Sequence, residues 1–304
     1  MDIIKYTINI IKTKYSEYKV SYSITTNGTI ITDEIIKIFK ENNFAILLSI
    51  DGYDNDFNLR KFKNGRKSVT KVIENINKLK NNGIFPKIRA TLLNTNPYIA
   101  ETYDFFEKLE LPFNIVFTYA SENKTHNFSL YTNDILEKIK FQLDTVLKYY
   151  IEKIKRKDIL YNSLFKDLFS IFRFRIKKQI VCSAGQSYYT IISNGDIFSC
   201  SHFINDSKFK IGNINGGKIY KKDFIPLPLE EIKDCKLCWA KYLCLGGCPA
   251  QKLSMDKKIN ESFKIENCEL EKICFEFYLK LYYFVTQLAP EYIIKEPVEK
   301  VINE

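Results

Sequence analysis

The sequence predicts an α/β fold that gives way to a separate cysteine-rich domain, and three observations carry that prediction. Up to about residue 120, short apolar runs alternate with segments of helical period. Four β/α units in succession imply a parallel sheet or part of a β/α barrel. All eight cysteines, Cys182, Cys200, Cys235, Cys238, Cys244, Cys248, Cys268 and Cys274, lie in the last two-fifths of the 304 residues.

Taken in order, residues 1–17 repeat Ile at helical spacing, and Lys19 to Thr25 alternates apolar and polar residues before the turn Asn27-Gly28. A helix feeding a strand follows from that pattern. Thr32 then caps a helix with Asp33 and Glu34 in its first turn, and Phe44 to Ile50 is an apolar run suited to a buried parallel strand. Ser68 is expected to cap the next helix, in which Val72, Ile73, Ile76 and Leu79 share a face and Gly83 is the stop. Strands are expected near 87–93 and 113–119, separated by a helix after Pro97. Helical period resumes from Asp134 to about Lys155 and again over 160–176. Farther on, Tyr188 to Ile192 and Ile197 to Cys200 flank Asn194-Gly195, a hairpin signal. Glu269 to Thr286 is expected to be helical, and a tail starts near Pro290. The division this suggests is an α/β part over 1–130, a helical bridge over 131–177, a cysteine domain over 178–290 and a tail over 291–304.

Composition narrows the class. A hydrophobic content of 45% is enough for real cores. No run of eighteen apolar residues occurs, and Met1-Asp2-Ile3-Ile4-Lys5 lacks the layout of a signal peptide, so a cytoplasmic protein without a membrane partner is expected. The net charge is +10, but the lysines are scattered rather than gathered into one basic tract, which disfavours nucleic acid. In a reducing compartment clustered cysteines read as metal ligands rather than disulfides.

Written as spacing, the cysteines run Cys182-x12-Gly195-x4-Cys200, then Cys235-x2-Cys238-x5-Cys244-x3-Cys248, then Cys268. A two-residue gap aims both sulfurs of Cys235 and Cys238 at one centre, while Gly246 and Gly247 permit a tight bend beside it. Cubane clusters need thiolates around them and N–H groups directed at sulfur. Zinc is the alternative, since four-cysteine knuckle sites commonly hold it. Cys274, six residues past Cys268, falls on another helix face and reads as a buried free thiol. His202 reads as a hydrogen-bonding or surface residue rather than a ligand.

This spacing resembles the seven-cysteine signature of the SPASM domain. The resemblance extends to Gly195-Asp196, to Ile211-Gly212-Asn213-Ile214, and to Trp239-Ala240-Lys241-Tyr242-Leu243-Cys244-Leu245-Gly246-Gly247-Cys248-Pro249. By position it implies two auxiliary 4Fe-4S clusters, with Cys235, Cys238, Cys244 and Cys268 on the second and Cys182, Cys200 and Cys248 on the first. The first would be one ligand short, because Tyr188 stands where some relatives have a further cysteine, leaving an iron open to substrate, water or His202.

The N-terminal units resemble the middle of a radical SAM partial barrel. Ser23-Ile24-Thr25-Thr26-Asn27-Gly28-Thr29 is similar to the family's third strand and loop, and Leu48-Ser49-Ile50-Asp51-Gly52 to its fourth. The expected whole is therefore a partial, truncated radical SAM β/α barrel followed by a SPASM iron-sulfur domain. The resemblance places Ser49 and Arg60 where relatives contact the amino-acid moiety of SAM, and Asn27 and Asp51 at the barrel mouth. Turn-forming roles for Asn27 and Asp51 stay open. The family's Cys-x3-Cys-x2-Cys loop and its Gly-Gly-Glu-Pro segment are not found in these residues. SAM and a third 4Fe-4S cluster are accordingly expected only in a complete relative, and an uncovered edge strand at the front of the sheet.

The function this implies is the C-terminal portion of an enzyme that modifies a ribosomally made peptide or protein. In complete relatives a SAM-derived radical abstracts hydrogen from the substrate, while the auxiliary clusters accept an electron or bind a substrate thiolate. Thioether cross-linking is the first expectation and formylglycine-type maturation the second. A peptide or protein substrate and a reductant such as flavodoxin or ferredoxin are the implied partners. A non-catalytic iron-sulfur electron-transfer or partner protein, and a zinc-stabilised binding module, are the alternatives.

Overall fold

In a computed structural model of the chain, residues 1–118, 131–177, 181–204, 206–216, 229–254, 261–263 and 265–290 are described. Two compact units are present, one of Met1–Thr118, Phe141–Asp167 and Lys280–Glu304, the other of Tyr119–Lys140 and Leu168–Leu279. The expected tail over 291–304 lies outside the described residues.

The first unit is built on four parallel strands in the order β1 (Ser23–Thr26), β2 (Ala45–Ser49), β3 (Lys87–Leu92) and β4 (Phe113–Phe117). Helix α1 (Asp2–Lys14) precedes the sheet, and α2 (Asp33–Glu41), α3 (Val69–Asn81) and α4 (Ile99–Lys108) connect its strands. The α/β class is as the alternation predicts. Ile46, Leu48, Ile88, Ala90, Leu92 and Phe113 are buried along the strands, and Ile76, Leu79, Tyr103 and Phe106 are buried on α3 and α4. Helical period on one side and strand period on the other bring these residues into one core.

Several local expectations are met for the stated reasons. The Thr32 hydroxyl accepts a hydrogen bond from the Ile35 N–H at 3.3 Å and caps α2. After α3, Gly83 has φ +74°, with its N–H on the Lys80 carbonyl and the Ile84 N–H on that of Leu79. That pattern is a Schellman stop.

Others are corrected. Helix α1 stops at Lys14, and the strand begins at Ser23 rather than Lys19, because its partner β2 starts only at Ala45. Ser68 does not cap α3: its hydroxyl donates backward to the Arg60 carbonyl at 3.2 Å, closing the loop that precedes the helix. β2 is buried on one face only, at Ile46 and Leu48, with Leu47 and Ser49 half-buried on the other.

Helices α5 (Asn133–Arg156) and α6 (Ser163–Phe174) follow β4. Within the first unit Glu107 is fully buried. It accepts from Lys153 Nζ at 2.6 Å, the Tyr150 hydroxyl at 2.9 Å and the Tyr161 N–H at 3.1 Å, joining α4 to α5. Burial holds its carboxyl above the ordinary range, partly offset by these donors.

The second unit contains an antiparallel sheet of β5 (Thr190–Ile191), β6 (Asp196–Phe198) and β7 (Lys210–Asn213). Asn194-Gly195 makes the expected hairpin turn. Short helices α7 (Lys233–Lys236), α8 (Lys241–Cys244) and α9 (Pro249–Ser254) follow, and then α10 (Ile265–Leu288). Because α10 starts four residues earlier than expected, Cys268 stands on the helix rather than before it.

Candidate metal centre

Parallel topology puts the carboxyl ends of all four strands on one edge, where open α/β sheets and barrels place their functional groups. Asn27 follows β1, Ser49 ends β2 and Asp51 lies two residues beyond. The Asn27 side-chain carbonyl oxygen accepts from the Thr29 N–H at 3.1 Å and the Thr29 hydroxyl at 2.9 Å, a turn-forming geometry. Asp51 accepts from the Thr91 N–H of β3 at 2.9 Å and pairs with Arg60, whose Nε stands 2.6 Å and Nη2 3.1 Å from its two carboxylate oxygens. Asn58, buried beneath this loop, donates to the Gly52 and Tyr53 carbonyls and accepts from the Arg60 N–H. The Arg60 guanidinium is thereby held at the mouth by an ion pair with one hydrogen bond, from Nη2. Ser49 is half-buried, in register with Arg89.

In the second unit the eight thiols are all free and all partly buried. Cys182 and Cys200 pack against one small apolar cluster of Ala184, Phe198 and Phe203, together with Ala250, two residues past Cys248. Burial pushes the Cys248 thiol up, as do the neighbouring Cys200 and Cys182, against N–H groups of Gln251 and Ala250 directed at its sulfur. The Ala184 N–H donates to the Cys182 sulfur at 3.2 Å. Around the knuckle, burial pushes Cys268 up to about 11, with Cys235 and Cys238 adding to it, and raises Cys244 further, with Cys268 and Cys235 adding to it. Cys182 and Cys200 thus neighbour Cys248, and Cys235 neighbours both Cys244 and Cys268.

Among the described residues, no three His, Cys, Asp or Glu side chains stand close enough to share one metal ion. Thiolates with N–H groups directed at sulfur are a donor set that suits iron-sulfur clusters. Cys274 is partly rather than wholly buried, and burial raises its thiol well above the ordinary range. His202 is exposed on a single turn of 3₁₀ helix.

The intervening motif residues have a structural duty. Asp196 accepts from Lys210 Nζ at 2.5 Å, Asn213 Nδ2 at 2.8 Å and Asn194 Nδ2 at 3.0 Å, tying the hairpin to β7. The Lys210 ammonium, then Asn213, hold its carboxyl below the usual range. Sequence reasoning missed Asn58, Thr91, Phe263 and Lys252. Asn58 and Thr91 act through backbone geometry that no spacing reports. Lys252 is one among many lysines in the sequence, yet it is 1% exposed.

Comparisons with known proteins agree with this architecture. Residues 1–108 match the radical SAM superfamily model. A cysteine-type anaerobic sulfatase-maturating enzyme of Clostridium novyi is 29% identical over 272 residues, covering 83% of this chain and 70% of that protein. A serine-type enzyme of Bacteroides thetaiotaomicron is 24% identical, covering 76% and 61%. Among solved structures, a histidine-tagged anSMEcpe with bound AdoMet superposes with a TM-score of 0.75 at 19% identity, covering 100% of this chain and 80% of that one. SuiB of Streptococcus suis bound to S-adenosylmethionine gives 0.53 at 18%, covering 82% and 60%. Residues 1–108 thus match the radical SAM superfamily model on an α/β fold, and the chain is similar over most of its length to anaerobic sulfatase-maturating enzymes.

Proposed function

We propose that this chain serves a radical SAM/SPASM enzyme that modifies a peptide or protein, and that its cysteine domain, over 178–290, carries two auxiliary 4Fe-4S clusters. The observation behind this is the packing of Cys182, Cys200 and Ala250, two residues past Cys248, on one small cluster with an N–H directed at the Cys182 sulfur, together with the short spacing of Cys235, Cys238 and Cys244. Cys235, Cys238, Cys244 and Cys268 hold one cluster; Cys182, Cys200 and Cys248 hold the other, with one iron left for a non-cysteine ligand. When bound, such clusters supply one-electron transfer and an open iron for a substrate thiolate. The chain's own residues fix sulfur positions and direct N–H groups at them.

Formylglycine-type maturation stands ahead of thioether cross-linking, because the curated relatives are sulfatase-maturating enzymes. One solved relative is complexed with AdoMet and a Cp18Cys peptide, which supports a peptide or protein substrate for this chain also. Ser49 and Arg60 are proposed to face the SAM amino-acid moiety, with Asn27 and Asp51 shaping the mouth. No described helix is long and apolar enough to cross a membrane, and a cytoplasmic setting with a flavodoxin- or ferredoxin-like reductant is part of the proposal.

The test is anaerobic reconstitution followed by iron and sulfide analysis. Close to two four-iron clusters are expected, with one lost in Cys238→Ala; colourless protein loaded with zinc overturns the proposal. These 304 residues hold no cysteine before Cys182, so the same sample given SAM and dithionite is expected to make no 5′-deoxyadenosine. A second reading is a non-catalytic iron-sulfur partner protein. Restoration of SAM cleavage by adding residues with the Cys-x3-Cys-x2-Cys loop supports the enzyme reading. Full cluster content without restoration supports the partner.

A further inference from the structure

Lys252 lies on α9, four residues past Cys248, whose carbonyl accepts its backbone N–H at 3.1 Å. Its side chain is among the largest fully buried ones of the described residues. The ammonium sits 5.9 Å from the centre of the Phe263 ring, and a Cβ placed on Gly246 would meet it at 3.6 Å, so it lies under the turn joining Cys244 to Cys248. Burying a lysine costs several kcal/mol unless negative charge faces it. Burial lowers its proton affinity, whereas Cys235, Cys244, Cys248 and Cys268 raise it. Its ammonium thus lies beside the turn that joins Cys244 of one proposed thiol set to Cys248 of the other.

We propose that Lys252 is the fixed counter-charge of the auxiliary clusters, setting how readily they accept an electron. This rests on the cluster assignment above. A 4Fe-4S core on thiolates is anionic, and uptake of one electron adds a further negative charge without making or breaking a bond. A buried ammonium at low local dielectric favours the reduced form more than a surface cation would, because solvent screens it little. Lys252 acts through the cluster and is a positioning residue in the electrostatic sense.

The experiment is a dithionite redox titration, followed by electron paramagnetic resonance, of the reconstituted chain and its Lys252→Met, Lys252→Gln and Lys252→Arg variants, with iron content measured on each. Lys241→Met is the control: Lys241 is a nearby lysine whose ammonium binds the exposed Lys236 carbonyl. Lys252→Met is expected to lower the reduced fraction at fixed potential about tenfold, a midpoint shift of roughly 59 mV for one electron. Lys252→Arg restores the wild-type value, and Lys241→Met leaves it unchanged. If Met and Gln lose iron while Arg keeps it, the need for charge is also supported. Unchanged midpoints in Lys252→Met or Lys252→Gln at full iron content overturn the proposal, as does iron loss in Arg along with the others. Wild-type chain without clusters would instead sink the cluster assignment itself.

Discussion

The two units solve the burial problem by different means. In the sheet unit, Leu48, Ile50, Ile76, Leu79, Ile88, Leu92, Phe106 and Phe113 are all fully buried, and each contributes on the order of 2 kcal/mol by leaving water. From Ala184 to Phe263, the fully buried side chains of the described residues include Leu229 and a lysine, Lys252. All eight thiols are partly buried. One unit is held by apolar area and a buried ion pair; in the other, a smaller apolar cluster stands beside partly buried thiols, and part of its stability is expected to come from what those thiols bind.

The largest expected effect follows from that contrast. Cys244→Ser should lose about half the iron and expose residues 229–254 to proteolysis, while Cys274→Ser, outside both thiol sets, keeps all of it. Iron analysis and limited proteolysis read both. A Cys244→Ser protein with full iron would break the comparison at its base.

Gly247→Ala comes next. A Cβ there would lie 1.8 Å from Phe263 Cε2 and 2.2 Å from Cζ, and that ring is itself buried. With φ at +76°, Ala adds backbone strain to the clash. A loss of roughly 3 kcal/mol or more in the second unit is expected, with the sheet unit's melting transition unchanged.

Within the sheet unit, Glu107→Ala should cost about 3–5 kcal/mol in denaturant unfolding, because it leaves Lys153 buried without its carboxylate. The pH dependence has a defined sign. Burial raises the folded-state affinity of Glu107 for its proton above the value of 4.5, so the stability it contributes is full below pH 4.5 and falls as pH rises through its folded pKa. In Glu107→Gln that slope should vanish.

Much of this was readable beforehand, and the rest has physical reasons for hiding. Periodicity located the four strands and their helices because burial on one side imposes it. Spacing picked out seven cysteines because short loops must aim sulfurs together. Ser68 misled because its hydroxyl found the Arg60 carbonyl instead of the helix N-terminus, a choice made by the loop between them. The start of β1 depended on where β2 begins, a partner 22 residues away. Lys252 and the Glu107–Lys153 pair were invisible, since a charged residue inside a protein leaves no mark in a sequence rich in lysine and glutamate.

The smallest predicted effect isolates one term of the comparison. Gly83 and Gly247 have nearly the same backbone, with φ of +74° and +76°, but nothing lies within 4 Å of a Cβ added at Gly83. Gly83→Ala therefore meets left-handed strain of about 1–2 kcal/mol. It recovers about 0.4–1 kcal/mol from the reduced freedom of the unfolded chain. A net loss near 1 kcal/mol is expected, without change in the iron content of the other unit. Since strain is common to both positions, the difference between the two variants measures the contact of Gly247 with Phe263. If denaturant melts give equal losses for Gly83→Ala and Gly247→Ala, the Phe263 ring yields freely, and the turn between Cys244 and Cys248 is looser than its geometry requires.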